Sequence, residues 1–382
     1  MAKFKYFDLK IVFPPFESPL TDLIIELDCL RKKPLYGSTP PFIFFQLKGI
    51  FHMLESMASA RIEGNNTTVA EYVETKIERR STDDVALKEI QNMEECLGFI
   101  DENIGNSKID RAFASELHKK AVKDLPPPPT GEGDATPGAY RSRSVRIKGS
   151  HHIPPNPSMV APLMDSLFEF IGAHDQPKYD LLKIAVAHHR FVWIHPFNNG
   201  NGRTVRLFTY AMLVKYGFSV DKGRILNPAA VFCNRRNDYY KNLSLADEGT
   251  DENMLIWCQY VLNGLKDEIE KIDHLLEYSF LKKRVLLPAI NYAIEREFIT
   301  DLESRILKRA IEKQIIKASD LSDIVPSHHK SERSRIIRHL RDNKMLMSLP
   351  DSPRRYSIHF FNNFLLRGII NSLNKEGFVS IK

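Results

Sequence analysis

A mainly α-helical chain with a separate, basic C-terminal module is what the 382-residue sequence predicts. Three observations carry that reading. Apolar residues recur at helical spacing over two long stretches, about Ile43 to Val122 and Ala161 to Tyr278. Between them, Pro126-Pro127-Pro128-Pro129 and the glycine-rich run from Thr130 to Gly138 exclude helix and read as loop, polyproline II in part. From Asp301 onward the balance of charge changes: 16 Lys plus Arg against 9 Asp plus Glu give the tail +7, which leaves about −1 for the remainder of a chain whose total is +6.

Residues 1 to 40 are irregular and punctuated by proline, with a short helix expected around Leu20 to Leu30. Ile43 to Glu63 reads as an amphipathic helix with Gly64 as its C-terminal stop. Ser59 and Glu63 are four apart and share a face of it. A carboxylate in a last helical turn opposes the macrodipole at a cost of roughly 0.3–1 kcal/mol, so its placement asks for a cation elsewhere in the fold, and Arg206 is the candidate. His188 and His189 lie on the helix that ends near Ile194 and have no ligand-spaced partner, which favours packing or loop support over metal binding. In the tail, Ser304 to Ile315, Ala318 to Ile324 and Ser331 to Asn343 read as helices, and Met345 to Leu349 with Arg355 to Phe360 alternate like a hairpin around Pro350-Asp351-Ser352-Pro353.

The chemistry is concentrated in Ile194-His195-Pro196-Phe197-Asn198-Asn199-Gly200-Asn201-Gly202-Arg203-Thr204-Val205-Arg206. His195 precedes a proline, which restricts its backbone, and an imidazole titrates near neutrality, so it is suited to general-base work. Gly200 and Gly202 lack a Cβ and let successive N–H groups converge on an anion. From about Gly202 the pattern is helical, with Val205, Phe208 and Met212 on one face, and it stops at Gly217. A helix N-terminus with Arg203 and Arg206 on its first turn attracts phosphate.

This segment resembles the signature of Fic-domain proteins, His-x-Phe-x-(Asp or Glu)-Gly-Asn-Gly-Arg-x-x-Arg, at every position but one. Most of that family transfer AMP from ATP to a protein hydroxyl. The resemblance therefore implies a Fic-type helical bundle with His195 as catalytic base. It implies nucleotide contacts from Gly200, Asn201, Gly202, Arg203, Thr204, Val205 and Arg206. Tyr239 and Tyr240 would form the adenine-side wall, and Asp247 a further polar nucleotide contact. Tyr140 to Ile147, followed by His151-His152-Ile153-Pro154-Pro155, resembles the family's β-hairpin flap, in which Arg141, Val145, Arg146, Ile147 and Lys148 would hold a target segment by strand addition. Ser59-Ala60-Arg61-Ile62-Glu63-Gly64 resembles the family's inhibitory motif, so Ser59, Glu63 and Gly64 would belong to an N-terminal inhibitory helix whose glutamate pairs with Arg206 and keeps the ATP γ-phosphate from seating. The departure is Asn199, which stands where the family has the acid that helps hold Mg²⁺ or Mn²⁺. An amide oxygen still ligates a hard cation, though with less charge, so activity is expected to be reduced or more dependent on high metal.

The implied organisation is an N-terminal helical region over 1–105, a Fic core over 106–275, a helical linker over 276–300 and a tail over 301–382. Three helices and a two-stranded wing in that tail resemble a winged-helix module, with Arg333, Arg335, Arg338 and Arg341 on the helix that would meet DNA. Two classes of function stay open. One is a self-inhibited adenylyltransferase; the other is a DNA-binding or scaffold protein with a weakly active Fic site. Removal of AMP, or transfer of another phosphate-containing group, stays open within the enzyme class. Expected partners are ATP, a target protein hydroxyl, the chain itself as a target, a homodimer, and DNA through 301–382. Cys29, Cys96, Cys233 and Cys258 show no metal-ligand spacing and read as reduced thiols. Met1 to Tyr6 lacks a signal-peptide apolar core and no run reaches membrane-spanning length, so a soluble cytoplasmic protein is expected.

Overall fold

The computed structural model describes residues 4–32, 37–78, 84–147, 149–218, 228–325 and 330–379. It is mainly helical, as the apolar spacing predicts, and falls into two compact units that each draw on separated stretches of chain. The first comprises residues 1–35, 52–67 and 82–270; the second comprises 36–51, 68–81 and 271–382. These units run across the expected divisions at 105, 275 and 300, and the helix expected at Ile43 to Glu63 contributes residues to both.

The elements of the first unit are α1 (Pro19–Lys32), the C-terminal part of α2 (Pro41–Ile62), and then, following α3 (Val69–Glu78) of the second unit, α4 (Val85–Asn103), α5 (Arg111–Ala121) and α6 (Pro157–Gly172). They continue with α7 (Asp180–Ile194), α8 (Asn201–Lys215), α9 (Pro228–Asn234), α10 (Arg236–Ala246) and α11 (Asp251–Asp273). Its core is built on α7 and α8, whose residues are buried on nearly every face. Neither is uniformly apolar, so the polar side chains they bury must find partners. Lys183 donates to the Ala173 carbonyl at 2.8 Å, and His188 bonds Thr209 Oγ1 at 2.7 Å and the Tyr239 hydroxyl at 3.0 Å. Trp257 closes the back of the bundle with a 2.7 Å bond to the Ala185 carbonyl.

The second unit holds the N-terminal part of α2, α3, a short α12 (Tyr278–Phe280) running through a π-turn (Leu281–Leu286) into α13 (Leu287–Glu295), then α14 (Asp301–Lys313) and α15 (Lys330–Asp342), the strands β1 (Leu346–Leu349) and β2 (Ser352–Ile358), and α16 (Leu365–Lys375). Thr300 and Glu303 form a reciprocal capping box that starts α14. The strands pair antiparallel with Leu346 opposite Ile358 and Ser348 opposite Tyr356, and Ile316 adds a bridge to Tyr356. Ala318 to Ile324, expected as a helix, is a 3-10 turn over Ala318–Leu321. Gly368 on α16 lies so close to α13 that a Cβ there would sit 2.6 Å from the Ala289 carbonyl oxygen. Gln46 receives the Phe360 N–H at 2.9 Å and donates to the Ile358 carbonyl at 3.1 Å, which fastens the start of α2 to the end of β2.

Among the described residues that hairpin is the one sheet. The flap segment expected as a hairpin carries no cross-strand pairing among its described residues, and the Ile147 carbonyl accepts the Ser150 N–H at 3.2 Å. No described helix is long and apolar enough to cross a membrane, and the four cysteines are free thiols.

Candidate active site

The turn between α7 and α8 is set by backbone conformations that few residues accept. His195 caps α7 in the left-handed region (φ 53°, ψ 62°) and Gly200 opens α8 in the same region (φ 73°). At Gly200 a side chain is excluded twice, since a Cβ would also meet Val122 Cγ1 at 2.8 Å. Asn201 locks the turn from inside: its Oδ1 accepts the Phe197 N–H and its Nδ2 donates to the Phe197 carbonyl, both at 2.9 Å. Phe197 is fully buried and lies flat against His118 of α5, with ring centroids 3.8 Å apart and planes 1° from parallel.

Two residues outside the signature pin the same loop. His118 Nε2 bonds the Asn199 carbonyl at 3.0 Å while its Nδ1 accepts the Gly138 N–H at 2.8 Å, which fixes the neutral tautomer with hydrogen on Nε2. Burial holds its pKa down at about 4. Asp134, 5 % exposed, accepts the N–H groups of Asn198 and Asn199 on Oδ2, each at 3.2 Å, and that of Thr136 on Oδ1 at 2.8 Å. Neither was legible as a site residue. His118 sits on the buried face of an amphipathic helix, and Asp134 carries only the turn signal of an Asp two residues before a Thr whose N–H it accepts.

His195 is half-buried, and its Nδ1 faces the Val192 carbonyl at 3.4 Å. Burial lowers its pKa to about 4, so the ring is neutral at physiological pH and able to accept a proton. Its carbonyl receives Arg141 Nε at 2.8 Å. Arg141, 2 % exposed, also donates to the carbonyls of Pro155 at 2.6 Å and Ile194 at 3.3 Å, and its own N–H bonds the Pro196 carbonyl at 2.8 Å. This arginine therefore ties the segment expected as a flap to the loop that follows α7. Val145 and Ile147 are half-buried and Arg146 is exposed; Lys148 lies outside the described residues.

The N-terminus of α8 offers N–H groups without intrahelical partners, and a carboxylate occupies the approach to it. Glu63 Oε1 stands 2.0 Å from where a Cβ on Gly202 would be, and 2.7 Å from Arg206 Nη2. Gly64 (φ +106°) ends α2 with the Asn65 N–H bonded back to the Ala60 carbonyl at 3.1 Å, which turns the chain directly after Glu63. Arg206, 1 % exposed, completes its coordination on Ser59, through Oγ at 2.7 Å and the carbonyl at 2.9 Å. Burial works against both charges of this pair. The partners outweigh it, so Glu63 is held below its ordinary pKa by Arg206 and Arg203, and Arg206 above its own by Glu63.

Arg203 is fully buried and faces a different set of acceptors. Glu89 Oε1 is 3.0 Å from its Nη1, the Glu132 carbonyl accepts from its Nη2, and the Glu132 carboxylate is 3.8 Å away. Its Nε and Nη1 make no hydrogen bond. Asn65, next to the turn at Gly64, bonds Glu89 at 2.7 Å.

The structure thus gathers Ser59, Glu63, His195, Gly200, Gly202, Arg203 and Arg206 around one loop. Other expected contacts it places elsewhere. Thr204 donates to the Gly200 carbonyl at 2.8 Å and Val205 is fully buried, so both side chains serve the α8 core. The Asn201 side chain is likewise committed to the loop. Tyr239 is 2 % exposed with its hydroxyl on His188, leaving Tyr240, 43 % exposed and 5.3 Å from the Tyr239 ring, as the open aromatic. Asp247 is paired with His189 at 2.9 Å.

At position 199 the amide nitrogen donates to the Gly133 carbonyl at 3.1 Å and to Glu132 Oε2 at 3.4 Å. Those two acceptors engage the nitrogen of the amide, and among the described residues no hydrogen bond engages Oδ1. A hard divalent cation takes oxygen donors, and Asn199 Oδ1 with the Glu132 carboxylate form such a set. The described residues contain no group of three or more His, Cys, Asp or Glu that could hold a metal ion, so oxygens of a phosphate ligand would have to complete the shell.

The Fic/DOC family model matches residues 108–213. Among curated proteins, "Protein adenylyltransferase Fic" of Drosophila melanogaster is 31% identical over 199 residues, which are 50% of this chain and 36% of that protein. The protein of the same name from Nematostella vectensis is 28% identical over 200 residues, 50% of this chain and 42% of its own. The chain spans roughly two fifths or less of the length of these relatives. Among solved structures, a Fic family protein from Desulfovibrio desulfuricans G20 aligns over 91% of this chain and 98% of its own, with a TM-score of 0.55 at 20% identity. Fic-1 of C. elegans aligns over 66% and 71%, with a TM-score of 0.53 at 18% identity. At these identities the structural likeness establishes the fold.

Proposed function

We propose that the chain, which carries a Fic/DOC domain over residues 108–213, is a protein adenylyltransferase that moves AMP from ATP to a hydroxyl of a target protein and is held inactive by Glu63. The observation that carries this is the pairing of a neutral base with an anion seat: His195 on one side of the Phe197–Gly200 turn, and the N-terminus of α8 with Arg206 on the other. The two curated relatives named adenylyltransferases support it.

In this reading the triphosphate takes the place of the Glu63 carboxylate over Gly202, and Arg206 exchanges Glu63 for a terminal phosphate oxygen. A divalent ion, when bound, would neutralise charge on the phosphates from the side of Asn199. His195 accepts the proton of the incoming hydroxyl as its oxygen bonds the α-phosphorus and pyrophosphate departs. The protein supplies position and charge and forms no covalent intermediate. The backbone over 144–146, which makes no backbone hydrogen bond among the described residues, suits strand addition by an extended target segment, the chain's own among them.

The test follows label from ATP carried at the α- and γ-phosphates in parallel, in the parent, in Glu63→Gly and in Glu63→Gly with His195→Ala. Covalent α-label that rises on loss of Glu63 and vanishes with His195 supports the proposal. Binding of ATP with no transfer in any variant refutes it.

One observation favours a second role for the tail. Arg335, Arg338 and Arg341 are exposed along one side of α15, and no ion pair engages them among the described residues. Unneutralised arginines at that spacing suit phosphate contacts on DNA. A salt-sensitive shift of duplex DNA by the full chain, lost on replacing the three arginines by glutamine, is the expected result.

A further inference from the structure

The short turn Glu132–Asp134 is built to a tolerance that leaves it little freedom. Gly133 sits so close to the preceding segment that a Cβ would fall 1.9 Å from the Leu125 carbonyl oxygen, and its N–H bonds the Pro126 carbonyl at 2.8 Å. Asp134 is fixed by the backbone of the catalytic loop, and the carbonyl of Glu132 by Arg203. The Glu132 side chain between these anchors is 49% exposed, with Oε2 3.4 Å from Asn199 Nδ2 and 3.8 Å from Arg203 Nη2.

Counting charge around the seat gives the reason this matters. Arg206 is matched by Glu63 and Arg203 by Glu89; Asp134 is occupied by backbone N–H groups, and Glu132 is the solvent-facing carboxylate left over, 3.8 Å from Arg203 Nη2. An acid at position 199 would bring a second carboxylate against Glu132, and like charges at that range oppose each other's ionisation. An amide there instead donates to Glu132 and keeps its own oxygen for another partner. The charge and position 199 are thus separable: the loop residue supplies a neutral oxygen and the neighbouring turn supplies the negative one.

We propose that Glu132 is the metal-facing acid of this site, replacing the carboxylate that the signature places at position 199, so that Asn199 Oδ1 and Glu132 together face the divalent ion accompanying the triphosphate. This rests on the adenylyltransferase reading and adds a residue that lies outside its signature. Asn199 is then a compensated substitution and not a disabling one.

The experiment is a titration of the full chain with Mn²⁺, followed by the paramagnetic resonance signal of free Mn²⁺, with and without a non-hydrolysable ATP analogue whose own binding is measured calorimetrically. It compares the parent, Glu132→Gln, Asn199→Asp and the double variant, each also carrying Glu63→Gly to open the seat. Glu132→Gln is expected to weaken Mn²⁺ binding to the analogue complex by about tenfold or more, in line with loss of one ligand charge. Asn199→Asp is expected to restore it in the Glu132→Gln protein and to add little in the presence of Glu132. Unchanged Mn²⁺ affinity in Glu132→Gln overturns the assignment. So does a rise in analogue affinity without a change in metal affinity, which would make Glu132 a plug on Arg203. Failure of the analogue to bind any form would bring down the adenylyltransferase reading itself, and this assignment with it.

Discussion

Replacing Glu63 by Gln should make the protein less stable alone and more responsive to nucleotide, and the size of both effects follows from the geometry. The exchange keeps the shape of the side chain but removes the charge 2.7 Å from Arg206, which is 1 % exposed. Stranding one partner of a fully buried ion pair costs about 3–5 kcal/mol. The Glu63 side chain is 29% exposed and Arg206 keeps both bonds to Ser59, so the expected loss is about 1–2 kcal/mol. In a domain of this size each kcal/mol moves the melting temperature by about 2–4 °C, so the unliganded variant should melt a few degrees below the parent. A triphosphate then meets a neutral side chain over the seat in place of a carboxylate paired to Arg206. At a hundred times its Kd a ligand contributes about 2.7 kcal/mol, enough to carry the variant back to or above the parent. The assay is thermal denaturation of both proteins with and without a non-hydrolysable ATP analogue and Mg²⁺. A variant that melts with the parent and gains no larger shift from the analogue would refute the view that Glu63 occupies the anion seat.

Four further outcomes are expected. With the His195 pKa near 4, transfer should persist to about pH 5 and fail only toward pH 4, so kcat/KM against pH with an acid limb near the free-imidazole value of about 6.5 would contradict the burial of that ring. Stability should follow the same sign: His118 and His195 bind a proton near 6.5 when unfolded but near 4 when folded, so the contribution is full above about pH 6.5 and is lost as pH falls toward 4, at up to about 1.4 kcal/mol per pH unit for each ring. Glu55, pushed up to about 8 by burial, works the other way, its contribution declining as pH rises from 4.5 to 8; urea midpoints at pH 5, 7 and 8 check both. Gly200→Ala should cost about 1–2 kcal/mol in backbone strain alone, before the contact with Val122, and should lower the urea midpoint together with transfer. Asp134→Asn should lower kcat with little change in KM for ATP, because it loosens the Asn198 and Asn199 N–H groups, each such bond to a charged acceptor being worth about 1.5–3 kcal/mol; steady-state kinetics that leave kcat unmoved would show that the loop holds its shape without it.

The string His195 to Arg206 was readable because its chemistry is local: a base, two glycines and two arginines within one turn need no tertiary information to be recognised as an anion site. Glu63 was readable through the resemblance of Ser59 to Gly64 to the inhibitory motif, since a carboxylate in a last helical turn, though it opposes the macrodipole, is by itself equally well met by solvent. The helices were readable from apolar spacing, and their ends fall close to those expected, as at Gly64 and Gly217, where positive φ marks the stop. The compact units were less legible, because α2 gives residues to both and no composition shift marks where a helix changes company.

What only the tertiary structure decided is which residues hold the loop and which share its charge. His118 and Asp134 reach Asn199 from 81 and 65 residues away, and Glu132 reaches Arg203 from 71. No periodicity or motif spans such distances. It also places the side chains of Tyr239, Thr204 and Val205 in the core, with the Tyr239 and Thr204 hydroxyls bonded there. The sequence determines which chemistry is present, because reactivity resides in side chains and their near neighbours. Which of those side chains stay open, and what charge surrounds them, depends on segments brought together only when the apolar faces of the helices are buried.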